Sequence, residues 1–412
     1  MPELPEVEAM RRMVEDHCVG RRIRRVVARE AGGGPRDGKF DDKVIGEGVT
    51  EQSFVDALTS REIRSAKRLG KHLWLELSGS GPHLLLHCGM TGSLAMDGIE
   101  RFSFQSFSID EEWPPRFTKL QLELSARRGL EGPAPSTLAF VDARRFGKLL
   151  LRRAPAEEPP VSLLAADPLV AMPSPEAFAQ AFRKAAAPVK SLLLDQGRVV
   201  CGIGNWIADE VLHKARVHPA APANTLSDNQ AAGIHSAVLS VVRAAVAVDA
   251  DAARFPKGWL FHVRWGVGTA SGSSVTLPSG EELNFEEVGG RTTAFVPSLQ
   301  CMGERPVEKD LATPKRRARS SLAGSGEKES PKAAKRRKPK SDVEDDAAGE
   351  TKQKGEPKNT SGRVRAGAAG AALRKRPASR AVGAAGPGQK RPAAQATRFT
   401  VPLRGSASLD LA

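Results

Sequence analysis

The chain is read as an α+β protein: an N-terminal β sandwich carrying an N-terminal helix, a C-terminal helical domain ending in a β-hairpin finger, and a disordered basic tail. Three observations predict this. Between residues 23 and 151 apolar residues come in short, often alternating runs split by Gly, Pro and Ser, a sandwich or barrel pattern. Between 175 and 250 the apolar spacing lengthens to the helical repeat. From residue 305 onward Ala, Gly, Pro, Ser, Lys and Arg dominate and aromatics almost vanish, so too little apolar surface is available to offset the entropy of ordering.

Taken in order, residues 4–18 form the first helix, because Val7, Met10, Val14 and Cys18 recur at helical spacing and Gly20 can stop it. Strands are expected at 22–28, 73–77, 83–87, 119–124, 137–141 and 148–151, with a Gly-rich, charged loop over 31–52. Residues 154–174 contain five prolines and read as a linker. Helices follow at 175–186, 188–196, 205–215 and from Ser227, an N-cap residue, to Val248. Strand-like runs return at 259–265, 274–277 and 292–296. The organisation is therefore an N-terminal β-sandwich domain over 2–153, the linker, a helical domain over 175–250, a finger over 251–300 and a tail over 301–412.

The net charge of +14 is unevenly placed. Residues 1–300 hold 36 basic and 36 acidic residues, whereas 301–412 hold 26 and 12. An acidic polymer suits that tail. Cys18, Cys88, Cys201 and Cys301 are scattered without a CxxC pair, which argues against a zinc ribbon and a disulfide framework and fits a reducing compartment. No metal and no cofactor are expected. No secretory signal and no apolar run of membrane-spanning length are expected either, so no membrane association is read.

The chemistry begins at the N-terminus, Met1-Pro2-Glu3-Leu4-Pro5-Glu6-Val7-Glu8. Removal of Met1 exposes Pro2 as a secondary amine, which forms an iminium with an aldehyde-like carbon. Its pKa near ~8 leaves a useful unprotonated fraction at neutral pH. Glu3 and Glu6 lie three apart, so on a helix they face the same way and can carry protons. The plainer reading is a helix start, since proline and acids both suit the first turn.

Lys71 opens the run Lys71-His72-Leu73-Trp74-Leu75-Glu76-Leu77, and by itself is an exposed lysine at a strand start. His87-Cys88-Gly89-Met90-Thr91-Gly92 ends a strand in a turn where Met90 either packs beneath or stands exposed. Asp142-Ala143-Arg144-Arg145-Phe146-Gly147 sets two arginines beside an aromatic, by itself a hairpin turn with solvated charges and one core Phe. In Gly202-Ile203-Gly204-Asn205-Trp206-Ile207-Ala208-Asp209-Glu210 a helix precedes the glycines, which excludes a dinucleotide site. A second helix capped by Asn205 would present free backbone N–H groups to a phosphate. Gly289-Gly290-Arg291-Thr292-Thr293 reads as a hairpin with an arginine at its turn. The tail clusters 315–319 and 335–340 suit nuclear import or non-specific DNA attraction.

These motifs, in this order over residues 2–300, resemble the formamidopyrimidine-DNA glycosylase (Fpg/Nei) family, in particular a plant-type member with a zincless finger. The resemblance implies a two-lobed fold with double-stranded damaged DNA in the cleft, and a helix–two-turns–helix motif around residue 204. It implies an enzyme of base excision repair that excises oxidised purines and then cleaves the abasic site by β,δ-elimination; a monomer is expected, and the basic tail clusters add the expectation of a nuclear location. Pro2 would be the nucleophile, Glu3 and Glu6 proton carriers, Lys71 a contact to leaving base or sugar, and Arg291 a phosphate clamp assisting elimination. His87, Met90, Arg144, Phe146, Lys190, Gly204 and Asn205 would contact DNA. Met90 and Phe146 would wedge the gap left by an extruded base, with Arg144 on the orphaned partner base.

Ala143 stands where the family commonly has Pro, and Gly197 shifts the register between Lys190 and Asn205. Leu4 and Pro5 match the purine-directed branch better than the pyrimidine-directed one, whose terminus commonly carries Gly there. The short connection 254–259 resembles relatives that favour formamidopyrimidines and hydantoins over 8-oxoguanine. The competing readings are a glycosylase for oxidised pyrimidines and a non-catalytic binder of damaged DNA or chromatin. An import receptor for the tail is the remaining partner expected.

Overall fold

The computed structural model describes residues 2–100, 102, 108–126, 136–265 and 275–303. It opens with α1 (Leu4–Cys18), whose buried face includes Leu4, Val7, Met10, Met13, Val14 and Cys18. Glu6 accepts a hydrogen bond from the Glu3 backbone N–H at 3.0 Å, which satisfies a donor that a helix start otherwise leaves open.

Eight strands follow: β1 (Ile23–Val27), β2 (Ile63–Leu69), β3 (His72–Leu77), β4 (His83–His87), β5 (Ser93–Met96), β6 (Thr118–Leu124), β7 (Thr137–Val141) and β8 (Lys148–Arg152). They make two antiparallel four-stranded sheets, ordered β1-β6-β7-β5 and β2-β3-β4-β8. Inner side chains of both sheets, such as Ile23, Leu122 and Phe140 facing Leu73, Leu86 and Leu149, share one core with α1. Fully burying each such side chain contributes about 1.5–3 kcal/mol. The sandwich expectation holds, and the predicted strands between 22 and 151 are present with no end shifted by more than one residue.

Three elements of this half were not anticipated. Helix α2 (Glu51–Leu58) is a short helix capped by Thr50 and anchored through Phe54 and Leu58. Strand β2 carries Arg64, Lys67 and Arg68, which hid its alternation; only Ile63, Ala66 and Arg68 turn inward. Strand β5 is buried at all four positions, so it shows no alternation to read.

The second half contains α3 (Pro175–Arg183), α4 (Val189–Leu194), α5 (Asn205–Lys214) and α6 (Asp228–Ala247). Ser227 caps α6 by accepting from Gln230 N–H at 3.2 Å. Among the described residues α6 is the one helix whose length and apolarity would suit a membrane span, contrary to expectation. Its Ile234, Val238, Val241, Val242 and Ala245 are buried in the helical core, which accounts for that composition.

The expected strand at 259–265 is instead a 3-10 turn, Leu260–His262. Its aromatic, β-prone residues pack on Trp206 and Phe255 rather than on a sheet. The expected strand at 274–277 survives only as the isolated bridge Thr276↔Glu282 among its described residues. A hairpin closes this half, β9 (Asn284–Val288) against β10 (Arg291–Phe295). Gly289 and Gly290, at φ 60° and 72°, make its two-residue turn, a conformation other residues adopt only with strain. The tail assigned to disorder lies outside the described residues beyond Gly303.

Candidate active site

The N-terminus of α5 builds the site. Its N-cap is Gly204 rather than Asn205, which is the first helical residue. The open amides there do not await a phosphate, because the Glu3 carboxylate already holds them. Oε2 accepts from Gly204 N–H at 2.7 Å and Ile207 N–H at 3.2 Å, and Oε1 from Trp206 N–H at 2.9 Å. A negative group at a positive helix end is favourable, and three amide donors fix its orientation. Glycine at 204 permits the approach: a Cβ there would lie 2.2 Å from Glu3 Cδ.

Pro2 precedes Glu3 directly and is buried, and the Leu4 N–H donates to Gly202 O at 3.1 Å. Glu6 is joined to the same helix through Trp206, whose indole N–H donates to Glu6 Oε1 at 3.0 Å. Burial pushes the Glu3 carboxyl up, against the pull of Lys71 and the α5 amides. Burial, with Glu3 nearby, pushes Glu6 up to about 7. Glu6 can therefore take up and release a proton near neutrality, as acid–base work requires.

Lys71 reaches across from the start of β3. Its Nζ is buried and donates to Ile203 O at 2.7 Å, in the turn that leads into α5. Burial lowers its pKa, opposed by Glu3 and Glu6. The β half and the helical half are also tied by Asp167, which accepts from Gly70 N–H at 2.7 Å and pairs with buried Arg68.

Glu3 and Lys71 open onto a cavity of about 470 Å³ that His87, Met90, Arg144, Asn205 and Arg291 also line. Stretches widely separated in sequence thus converge on one space. Pro2, Glu6, Phe146, Lys190 and Gly204 do not line it. His72 joins the cavity beside His87, their rings 4.7 Å apart. Burial holds His72 down at about 3 and His87 at about 4, so both are neutral at pH 7.

The two rim loops are coupled. Asp142 accepts from Thr91 Oγ1 at 2.7 Å and from Gly147 N–H at 2.6 Å. Thr91 in turn accepts from Arg144 N–H at 3.1 Å. Arg145 makes a two-point pair with buried Asp41, both contacts at 2.8 Å. Of the two arginines this leaves Arg144 facing the cavity, its guanidinium 5.2 Å from the Phe146 ring centroid. Phe146 is 48% exposed, with Lys43 Nζ 5.0 Å from its ring centroid.

Lys190 requires a correction. It is not a cation facing the DNA backbone but is fully buried, with Nζ 2.6 Å from Asp209 and donating to Thr293 Oγ1 at 2.7 Å. Asp209 also binds buried Arg264 at 2.6 Å and accepts from Ala294 N–H at 3.2 Å. Lys190 therefore fastens α4 and α5 to the hairpin. Arg291 is exposed at the hairpin turn, and Asn205 Nδ2 donates to Thr292 O at 2.9 Å. The reading of single motifs missed Asp209 and Arg264, because the groups they join come from separate stretches of the sequence, and it missed Gln196, which braces the nearby glycine turn. Gln196 donates to Ile203 O at 2.9 Å and accepts from Gly202 N–H at 2.9 Å.

A β sandwich carrying an N-terminal helix, helices meeting at a glycine turn, and a hairpin finger around one polar cavity are the parts of a DNA glycosylase fold. Residues 1–149 match the formamidopyrimidine-DNA glycosylase N-terminal domain, and residues 164–257 the H2TH domain of the same proteins. The formamidopyrimidine-DNA glycosylase of Arabidopsis thaliana is 39% identical over 311 residues, covering 75% of this chain and 73% of that one. That of Thermus thermophilus is 32% identical over 316 residues, covering 74% of this chain and all of that one. The crystal structure of the MutM (Fpg) protein of Thermus thermophilus superposes with a TM-score of 0.52 at 30% identity, over 73% of this chain and 98% of that one. MutM in complex with DNA containing carbocyclic 8-oxo-G gives a TM-score of 0.56 at 24% identity, over 73% of this chain and 100% of that one. The chain belongs to the formamidopyrimidine-DNA glycosylase family.

Proposed function

We propose that this protein is a DNA glycosylase of base excision repair that is also an abasic-site lyase, acting on oxidised purines in double-stranded DNA. The observation that carries the reading is the placement of Glu3. The residue after Pro2 presents a carboxylate, oriented by three α5 amides, to the cavity that Lys71 enters.

In this reading the lesion nucleotide is everted into the cavity and the Pro2 nitrogen attacks C1′. The C1′–N bond breaks, and the leaving base takes the electron pair and a proton delivered from the Lys71–Glu3 side. The C1′–O4′ bond then breaks, O4′ taking the electron pair and a proton from Glu3 as the sugar ring opens, and the iminium left at C1′ acidifies the C2′ hydrogen. Glu3 removes that proton, β-elimination breaks the bond to the 3′ oxygen, and δ-elimination releases the 5′ phosphate. Glu6, held up to about 7 and bound to the Trp206 indole, exchanges protons behind Glu3. Arg291 at the finger turn clamps phosphates, and Met90, Arg144 and Phe146 fill the gap in the duplex. His87 and Asn205 complete the DNA-contacting set, whereas the Gly204 amide is committed to Glu3. The substrate preference proposed is for formamidopyrimidines and hydantoins over 8-oxoguanine. The tail clusters are proposed to bring the protein, as a monomer, into the nucleus.

The test is borohydride trapping on an abasic-site duplex with Pro2 exposed, against a Pro2→Gly control. The expected result is a covalent adduct that the control loses. An adduct of equal yield in the control would remove Pro2 as nucleophile. Duplex binding with no adduct in either protein would favour a non-catalytic binder. Comparable excision of 8-oxoguanine and guanidinohydantoin from one duplex would overturn the lesion preference.

A further inference from the structure

The cavity has both polar and apolar lining. Glu3, Lys71, His87, Asn205 and Arg291 offer charge and hydrogen bonds, whereas Met90, Leu194, Trp206 and Trp265 offer apolar surface, and the wide Trp265 ring is 37% exposed. Among the described residues, few large apolar side chains are this exposed, and Trp265 is the one of them that lines this cavity.

The ring is held rather than free to swing. The Arg264 guanidinium lies over it, 4.5 Å from the centroid. That guanidinium is itself anchored on Asp209 at 3.1 and 2.6 Å. Phe261 meets Trp265 edge-to-face at 5.6 Å and 80°. Phe261 also packs against Trp206 at 5.1 Å, and Trp206 is the residue that binds Glu6. A continuous run of aromatic rings therefore joins the exposed tryptophan to the paired carboxylates.

A cavity that combines hydrogen-bonding groups with a fixed, exposed aromatic plate suits a planar heterocycle, whose edges bear polar atoms and whose faces do not. We propose that Trp265 is a specificity-determining residue, the wall against which the everted base packs while its edge is read by the polar side of the cavity. This rests on the glycosylase reading above and deepens it by assigning a residue to the base rather than to the sugar or phosphate. An abasic nucleotide offers nothing to that wall, so Trp265 matters for excision and not for the lyase step.

The experiment compares wild type, Trp265→Ala and Trp265→Phe in single-turnover assays. One duplex carries a formamidopyrimidine lesion and a matched duplex carries an abasic site. Aromatic packing on a base predicts a fall of roughly five- to a hundredfold in excision by Trp265→Ala, with abasic-site cleavage kept within about twofold. Trp265→Phe recovers most of the excision rate. Unchanged cleavage of the abasic duplex also establishes that the variant is folded. The proposal is overturned if both activities fall together, which marks a structural role, or if neither falls. A wild-type protein that cleaves neither duplex overturns the glycosylase reading, and this inference with it.

Discussion

Replacing Gly204 by alanine tests whether the α5 amides set the position of Glu3. The backbone there has φ −121° and ψ −159°, which alanine adopts without strain. At an N-cap alanine costs at most about 1 kcal/mol relative to glycine. The new Cβ would stand 2.2 Å from Glu3 Cδ and 2.4 Å from Oε1, so the carboxylate must withdraw. Withdrawal puts at risk three charge-assisted hydrogen bonds of 2.7, 2.9 and 3.2 Å, each contributing roughly 1.5–3 kcal/mol. A displacement of about 1 Å in a reacting group costs on the order of a hundredfold in rate. Single-turnover cleavage of an abasic-site duplex is therefore expected to fall about a hundredfold, while overpacking lowers stability by about 1–3 kcal/mol in urea unfolding. Duplex affinity stays within a few-fold, because the rim loops and Arg291 are untouched. An alanine variant that cleaves at the wild-type rate would refute the claim that α5 holds Glu3 in its working position.

Two further outcomes follow from buried charge. Glu210 is held up to about 8, chiefly by burial, although it accepts from Phe261 N–H at 3.2 Å. The native state thus keeps a proton that the unfolded chain loses near its ordinary 4.5. Its destabilising effect is absent below that value, grows as pH rises through the window and is complete above about 8, with roughly 5 kcal/mol as an upper bound. Glu210→Gln should therefore gain stability relative to wild type between about pH 5 and about pH 8.5 in urea unfolding, and a pH-independent difference would contradict the assignment. For Lys190, substitution by Met leaves Asp209 with Arg264 as its remaining cation, and a loss of about 3 kcal/mol is expected. The salt dependence of duplex binding should not change, whereas a phosphate contact would reduce the slope by about one. A reduced slope at unchanged stability would restore Lys190 to the DNA interface.

Much of the architecture was legible because its causes are local. The 4–18 helix follows from a repeat of apolar residues at 7, 10, 14 and 18, and its observed ends are the same. Ser227 announces α6 through the acceptor it offers to Gln230. Paired glycines at 289 and 290 announce a turn because few other residues tolerate positive φ at both positions. The strand expected at 259–265 was lost to a cause that is not local. Trp259, Leu260, Phe261 and Trp265 have strand-like composition, yet the aromatic residues among them pack with Trp206, with Phe255 and with one another, and long-range packing overrides local preference.

The same division runs through the site. By itself the sequence determined which groups were available: an amine-bearing Pro2, two carboxylates one helical turn apart, a strand-leading lysine and a glycine turn before a helix. The tertiary structure alone decided what each group meets. It set Glu3 against amides 201 positions or more away, put Lys71 on the Ile203 carbonyl, and enclosed Lys190 with Asp209. The physical reason is that a hydrogen-bond partner or a desolvation cost depends on distance in space. A pattern of residues records which donors and acceptors the chain carries, and only the folded packing of the β half against the helices brings particular ones within about 3 Å.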